Sequence, residues 1–431
     1  MSSIEIEDMY TIIYLFMLTK HQKEKLKECK KILKKSKRLL IKGSAGVGKT
    51  FLVNYLLETL PNKDNKYIYC TAPTNKALSV LQEKITPQNG TIFQTTHKAL
   101  QVKRQICEKT GIVSFKSSLD KDNNPFKTIS YFIVDEASML PKELLDVLND
   151  VCIDTTLILL GDGKQLPPVN EDDSPAFISN FPEVELTEIV RQGNGNPIIE
   201  LSYNLQGVYE YKNNFLESKE GYFFSNNTEK MYQSIIESDG KNKFLAYTNF
   251  NVNIHNKKIR QMKYGNDPEK IELGDVLILG APYEKFTTNE QVVVETLHKG
   301  IKTTIIHPNG KDRVDVSYYL VNPKVFTNEI SVGGLKILDR DSEEDFKKFM
   351  SKLKKDAVAG KVKWKTYYDI AEKFASTKYN YAATVHTSQG STYKKVFIDL
   401  RDLHKNKNKK ELQKLLYTAI TRASKTVIFY V

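Results

Sequence analysis

The run Gly43-Ser44-Ala45-Gly46-Val47-Gly48-Lys49-Thr50 carries the most specific chemistry in this sequence. It has the GxxxxGK[ST] spacing and stands between a short apolar run and a helical stretch, the setting in which such a loop wraps phosphates. Glycines let backbone N–H groups approach phosphate oxygens, and the start of the following helix favours their negative charge. Lys49 can reach the outer phosphates and the Thr50 hydroxyl can bind Mg²⁺. Gly43 to Thr50, with Phe51 behind them, are therefore expected to hold a nucleotide. The alternative, a Gly-rich turn arisen by chance, fits the strand-loop-helix setting poorly. A second constellation is Ile133-Val134-Asp135-Glu136. An Asp at a strand end can hold Mg²⁺ through water, and the adjacent Glu can orient and activate an attacking water. Alone, the pair reads as a solvated strand end. Behind a P-loop it reads as the hydrolytic half of a P-loop NTPase, a class that spans kinases, transporters, switches and motors.

These groups need a scaffold, and the apolar pattern supplies one. Short apolar runs at Leu39–Lys42, Tyr67–Thr71, Tyr131–Val134 and Leu157–Leu160 are each followed by a helical stretch, which predicts a parallel sheet covered on both faces. Polar residues Gln101–Lys127, with a Lys109-Thr110-Gly111 turn, predict an inserted hairpin. After Gly193, Gly195 and Pro197 the α/β pattern restarts, with buried strands at Phe244–Thr248, Val396–Leu400 and Thr426–Val431. Between them, the β-rich runs Asp275–Gly280, Gln291–His298, Thr303–His307 and Val314–Val321 precede two charged helical stretches, Ser342–Asp356 and Val362–Ser376. This texture predicts a small β-barrel-like insertion with a helical appendage.

The whole composition fits a soluble protein of two or three domains: 431 residues, 40% hydrophobic, 27% charged, net charge +12. A basic excess favours a polyanionic partner without proving one. Lys20 to Arg38 holds ten Lys or Arg against two Glu, with Leu26, Cys29 and Leu33 at helical spacing, so an amphipathic helix with a cationic outer face is expected there. Cys29, Cys70, Cys107 and Cys152 stand far apart, which argues against zinc or a disulfide framework and fits a reducing, cytoplasmic or nucleoid-associated setting. Met9–Leu18 is about half the length of a membrane span and follows acidic residues. It reads as a buried helix.

Beyond the two nucleotide motifs, the chain resembles superfamily 1B, the RecD-like DNA helicases. Leu18-Thr19-Lys20-His21-Gln22 resembles the adenine-reading Q motif; Ala72-Pro73-Thr74-Asn75-Lys76-Ala77 resembles motif Ia, and Thr95-Thr96-His97 the neighbouring DNA-contact motif. Gly161 to Val169 is similar to motif III, Leu186 to Arg191 to motif IV, Val385 to Ser391 to motif V and Leu416 to Ala423 to motif VI. The order is the family's, over nearly the whole chain. Two positions depart from it: Thr387 follows His386 where many relatives have Lys, and Pro168 replaces an Arg.

The resemblance implies an α/β fold of two RecA-like units, with a pin hairpin and a small SH3-like β-barrel inserted. Motor domain 1A would span residues 1–100 and 128–195, the pin 101–127, motor domain 2A 196–268 and 379–431, and the barrel insertion 269–378. It implies ATP and Mg²⁺ as cofactors, with Thr50 and Asp135 on the metal. Catalysis would fall to Lys49, Asp135, Glu136, Gln165, Arg191 and Arg422. Gln22, Gln389 and Gly390 would join residues 43–51 around the nucleotide. Pro73, Thr74, Asn75, Thr95, Thr96, His97, Phe115, Thr384, His386 and Ser388 would contact nucleic acid, with Phe115 in Val113-Ser114-Phe115 as the wedge. The implied activity is ATP-driven 5′→3′ movement on single-stranded DNA and unwinding of duplex at junctions, by a monomer that can work with single-strand-binding or replication proteins. Two rival readings are a motor subunit of a larger recombination or repair complex and an NTP-gated nucleic-acid-binding switch. Phosphate contacts alone leave RNA open as the track. Trp364, Tyr367 and Tyr368 at helical spacing read as core.

Overall fold

The computed structural model describes residues 18–60, 66–119, 125–169, 171–188, 197–203, 205, 221–325 and 334–431. Met9 to Met17 of the expected N-terminal helix lies outside these residues, and Leu18, which follows, is buried.

The described chain opens with helix α1 (Lys20–Leu33), started by a capping box in which Thr19 and Gln22 exchange side-chain and backbone hydrogen bonds. A first sheet follows from β1 (Arg38–Gly43), β2 (Tyr67–Ala72), β3 (Thr91–Thr95), β6 (Ile129–Val134), β7 (Thr156–Gly161) and β8 (Glu183–Leu186), all parallel in the order β3-β2-β6-β7-β1-β8. The inner strands are apolar throughout because both faces are covered: Leu39, Ile41, Ile133 and Ile158 pack into one layer with helix α2 (Lys49–Thr59), and Leu40, Phe132, Leu157 and Leu159 into the other with helix α4 (Lys142–Val151). Helix α3 (Asn75–Lys84) lies between β2 and β3. The polar segment after β3 forms the antiparallel hairpin β4 (Val102–Ile106) and β5 (Val113–Ser117). The sequence pattern missed β3 and β8, whose exposed or alternating positions give no continuous apolar run.

A second parallel sheet is built from β9 (Tyr222–Ser225), β10 (Asn242–Ala246), β16 (Ala382–Thr384), β17 (Tyr393–Asp399) and β18 (Ala423–Tyr430), in the order β16-β10-β17-β18-β9. Helices α5 (Thr228–Ile236), α6 (Asn249–Tyr264) and α9 (Lys409–Thr421) cover it. Between α6 and β16 runs an antiparallel sheet of β11 (Val276–Leu279), β12 (Gln291–Ile306), β13 (Arg313–Val325), β14 (Leu335–Leu338) and β15 (Thr377–Tyr379), in the order β14-β13-β12-β11-β15. A bond from Ala375 N–H to Lys336 O draws its two edges together. The runs at 291–298 and 303–307 are one strand, bent by register shifts after Val294 and His298. Helices α7 (Arg340–Val358) and α8 (Trp364–Ala371) form the appendage; α8 is shorter than its sequence pattern because the chain turns after Ala371 to pair Thr377 with β11. No helix among the described residues is long and apolar enough to cross a membrane.

Candidate nucleotide cleft and nucleic-acid groove

Three adjacent strands bring the sequence motifs together. The P-loop follows β1, the Asp135-Glu136 pair follows β6, and Asp162 and Gln165 follow β7, which lies between those two. Their C-terminal ends form one edge, where a ligand settles in an open parallel sheet. Across from this edge stand Gly390, Thr392, Thr421 and Arg422 of the second unit, enclosing a cleft of about 530 Å³ with Gln22, Ala45, Gly46, Gly48, Lys49, Thr50 and Phe51.

Within the cleft, Lys49 Nζ donates to Gly43 O at 2.6 Å and Ser44 O at 3.1 Å, so the ammonium lies across the loop it would leave for a phosphate. Thr50 Oγ1 donates to Asp135 Oδ2 at 3.2 Å, which sets two hard oxygen donors side by side, a fit for Mg²⁺. Gly48 has φ +83°, and a Cβ there would come 2.6 Å from Gln22 Nε2, so only glycine lets α1 close on the loop. Val47 is buried and can serve a ligand only through its backbone. Gln22 is itself fully buried: its Oε1 accepts from Thr19 N–H and its Nε2 donates to Val47 O. It braces the P-loop, and this use of both polar atoms qualifies the expectation that it reads an adenine edge with a free amide.

Glu136 holds φ +51°, ψ 40°, a left-handed conformation that costs a non-glycine residue ~1–3 kcal/mol and clusters at functional sites. Asp135 Oδ1 accepts from its N–H at 2.8 Å. Burial pushes the Glu136 carboxyl above the usual carboxylate range, Arg422 pulls it down, Asp135 pushes it up and Lys49 pulls it down. A carboxylate so placed is a competent proton acceptor near neutral pH. Gln165 is buried with its Oε1 lacking a hydrogen-bond partner among the described residues, an acceptor turned toward the cleft. Arg422 caps the C-terminus of α9, where the helix dipole favours its charge, and donates to Thr418 O and Ser391 O. Arg191 lies outside the described residues. Just before it, Thr187 N–H donates to His21 Nε2 and Glu188 accepts from Thr19, so the loop that leads to it docks on α1.

A second cavity of about 340 Å³ lies beside the cleft, between Thr74, Asn75 and Lys76 of the first unit, His386 and Thr387 of the second, and Thr287, Asn289 and Gln291 of the antiparallel sheet. Asn75 Nδ2 donates to Thr287 Oγ1, closing one wall. Thr74 caps α3 through Ala77 N–H, with Pro73 beside it, and Thr95 caps a short turn through Lys98 N–H; His97 is exposed. Thr384 shares a hydrogen bond of 2.8 Å with Thr387, and burial lowers the pKa of His386. Three expectations change here. Thr96 and Ser388 are fully buried, their hydroxyls donating to Thr71 Oγ1 and Val385 O, so neither side chain faces a groove. Gln389 donates to Leu166 O at 2.9 Å and borders this cavity, so it ties the two units together instead of lining the nucleotide cleft. In each case the local turn consumes the polar atom, which motif spacing does not reveal.

The hairpin carries Phe115 opposite Arg104, and its ring is 63% exposed. The hairpin tip leans on the appendage: a Cβ at Gly111 would strike the Trp364 indole, Tyr368 OH donates to Gly111 O at 2.8 Å, and Arg104 stacks over the Tyr368 ring and pairs with Glu372. Trp364 is buried as expected, but against a segment far away in sequence.

Lys76, Asp162, Tyr393 and Tyr417 were not singled out from sequence. Lys76 is set 4.4 Å over the Tyr393 ring, and its ammonium is pushed down to about 8 by burial and then by Arg422. The signal was present in Pro73-Thr74-Asn75-Lys76-Ala77, where a cation sits inside a motif read for its hydroxyls.

Residues 27–171 match a model of the AAA domain, and residues 379–430 a model of the UvrD-like helicase C-terminal domain. An uncharacterized protein, R530 of Acanthamoeba polyphaga mimivirus, is 28% identical over 90% of this chain and 94% of its own length. The ATP-dependent DNA helicase dda of Enterobacteria phage T4 is 26% identical over 96% of this chain and 99% of its own. The ATP-dependent DNA helicase Pif1 of Campylobacter jejuni is 23% identical over 90% and 86%. A solved structure of Pif1 helicases at forked double-stranded DNA shares the fold at a TM-score of 0.50 and 15% identity, covering 96% of this chain and 92% of that one. With the two family models in this order, a likeness to Dda along nearly the full length of both chains, and two parallel sheets facing one cleft, the chain is similar to the superfamily 1B helicases, Dda among them.

Proposed function

We propose that this chain is an ATP-dependent DNA helicase that moves along single-stranded DNA and opens duplex ahead of it. The observation that carries the reading is the composite cleft: the P-loop, Glu136 and Gln165 come from one unit and Arg422 from the other. Hydrolysis in such a cleft changes what holds the two units together, and that change is what moves a motor. ATP would lie on the P-loop amides, with Lys49 leaving Gly43 O and Ser44 O for the outer phosphates. Thr50 and Asp135 would hold Mg²⁺, which neutralises charge on the phosphate oxygens. As the water oxygen would bond to the γ-phosphorus and the bond to the β–γ bridging oxygen would break, with ADP as the leaving group, Glu136 would take one proton of the water, Gln165 Oε1 would accept a hydrogen bond from its other O–H, and Arg422, with Arg191 as a further candidate, would offset charge on the transferring phosphoryl group.

The track is the neighbouring groove. Thr74, Asn75, Lys76 and His386 offer hydroxyl, amide, ammonium and imidazole groups to phosphates, contacts that can be remade at each step without reading sequence. The exposed ring of Phe115 on a braced hairpin serves as the wedge at the junction. Direction is proposed as 5′→3′ from the family resemblance. ATP turnover measured with and without oligo-dT tests the coupling: a steep rise with single strand supports the motor, and a rate indifferent to DNA of any length favours a nucleotide-gated switch.

A further inference from the structure

Helix α9 ends in Arg422, and the face that it turns to the first unit carries a row of cross-unit contacts at helical spacing. Lys410 and Lys414 reach Asp173, and the Thr418 hydroxyl accepts from Leu166 N–H at 3.2 Å. Between them, Tyr417 is buried at 2% exposure. Its hydroxyl donates to Asp162 Oδ2 at 2.6 Å and accepts from the P-loop amide of Ala45 at 3.2 Å. Burial and then the adjacent Asp162 carboxylate push the phenol's pKa up, so at neutral pH it is protonated and donates. One hydroxyl thus joins the phosphate-binding loop, the residue after β7 and the helix that presents the arginine.

We propose that Tyr417 is a positioning residue that sets Arg422 by anchoring α9 to the P-loop and Asp162. The surface lysines cannot do this work: their ion pairs with Asp173 are partly solvated and weak. The buried phenol–carboxylate bond is short and shielded, and it ends on the loop whose conformation a phosphate would change. Filling the P-loop therefore alters the anchor point of α9 at Ala45, five residues before the arginine on the same helix, and carries nucleotide occupancy into the placement of Arg422.

The inference rests on the ATPase reading, and its test has one arm that needs no turnover. Tyr417→Phe keeps the ring and its packing and removes only the hydroxyl. Ala45 N–H then loses its partner, so the peptide spanning residues 43–48 in the nucleotide-free protein should exchange its amide hydrogens faster, by about 2- to 10-fold. In ATP turnover at saturating single strand, kcat should fall by about 10- to 100-fold as Arg422 loses its placement. KM for ATP should stay within about threefold, because the loss falls on the transition state. Since Tyr417 acts through Arg422, the double variant Tyr417→Phe/Arg422→Ala should be no slower than Arg422→Ala alone. Asp162→Ala removes the same bond from the other side and should reproduce the drop, with no deeper loss when combined with Tyr417→Phe. Unchanged exchange at 43–48 together with kcat within about twofold of wild type would overturn the proposal, and so would multiplicative losses in the Arg422 double variant. Wild-type protein without ATP turnover would instead overturn the function reading, while the exchange arm still decides the anchor.

Discussion

Replacing Glu136 by Gln probes the hydrolytic centre with the least disturbance, because it changes one oxygen to nitrogen and keeps the shape. Glu136 is the one carboxyl at the cleft edge whose burial drives it above the ordinary range while Arg422 and Lys49 draw it back. Positioned general bases contribute about 10²- to 10⁴-fold, equivalent to about 3–5 kcal/mol of barrier. Turnover in Glu136→Gln should fall by that range, measured as phosphate release at saturating ATP and single strand, while ATP affinity by equilibrium binding stays near wild type. Two pH effects follow from the raised pKa. The base must be ionised to work, so the acid limb of the wild-type rate should lie above the ~4.3 of a free Glu. The stability contribution of a carboxyl with a raised folded pKa is complete below its unfolded pKa and is lost as pH rises through the folded one. The Gln variant avoids that loss, so thermal unfolding near pH 7.5 should show it at least as stable as wild type, by on the order of 1 kcal/mol, with the margin vanishing toward pH 4. Turnover within tenfold of wild type, or a variant less stable at pH 7.5 than at pH 4 relative to wild type, would refute the assignment.

Lys49→Ala should abolish ATP turnover and weaken nucleotide binding, read by fluorescent-nucleotide titration, because Lys49 is the cation that the P-loop itself brings to the cleft. Arg422→Ala should lower kcat with little change in ATP affinity; loss of affinity alone would mean that it holds ground-state phosphate. With Lys76 pushed down to about 8, affinity for oligo-dT should fall as pH rises from 7 to 9, since the ammonium discharges over that window, and Lys76→Met should flatten the dependence in anisotropy titrations. Phe115→Ala should leave single-strand-stimulated ATPase nearly intact and slow strand displacement, for the loss of ~1–3 kcal/mol of base stacking. A joint loss of stability and ATPase would instead make Phe115 part of the core, which its exposure argues against.

The parts of this molecule that sequence disclosed are those where chemistry and local geometry coincide. A P-loop must be a strand, a glycine-rich turn and a helix, so Gly43 to Thr50 could be placed from spacing alone. The buried inner strands announced themselves because both faces are apolar, whereas β3 and β8 at the sheet edges alternate or stay half exposed and were missed. What sequence could not show was which polar atoms are already spent. Thr96, Ser388 and Gln389 sit in motifs rich in hydrogen-bonding residues, yet their partners are backbone or side-chain atoms inside the protein. Cross-unit contacts were equally hidden. Tyr417 meets Asp162 across 255 positions, and Tyr368 meets Gly111 across 257, distances over which no periodicity carries information.

The most direct test of the account is strand displacement by the purified chain on partial duplexes that carry either a 5′ or a 3′ single-stranded tail, with ATP and Mg²⁺ and no other protein. The wild type should release the strand from the 5′-tailed duplex and leave the 3′-tailed one intact, and Lys49→Ala should release neither. Displacement that persists in Lys49→Ala, or a wild type that hydrolyses ATP yet separates neither duplex, would contradict it.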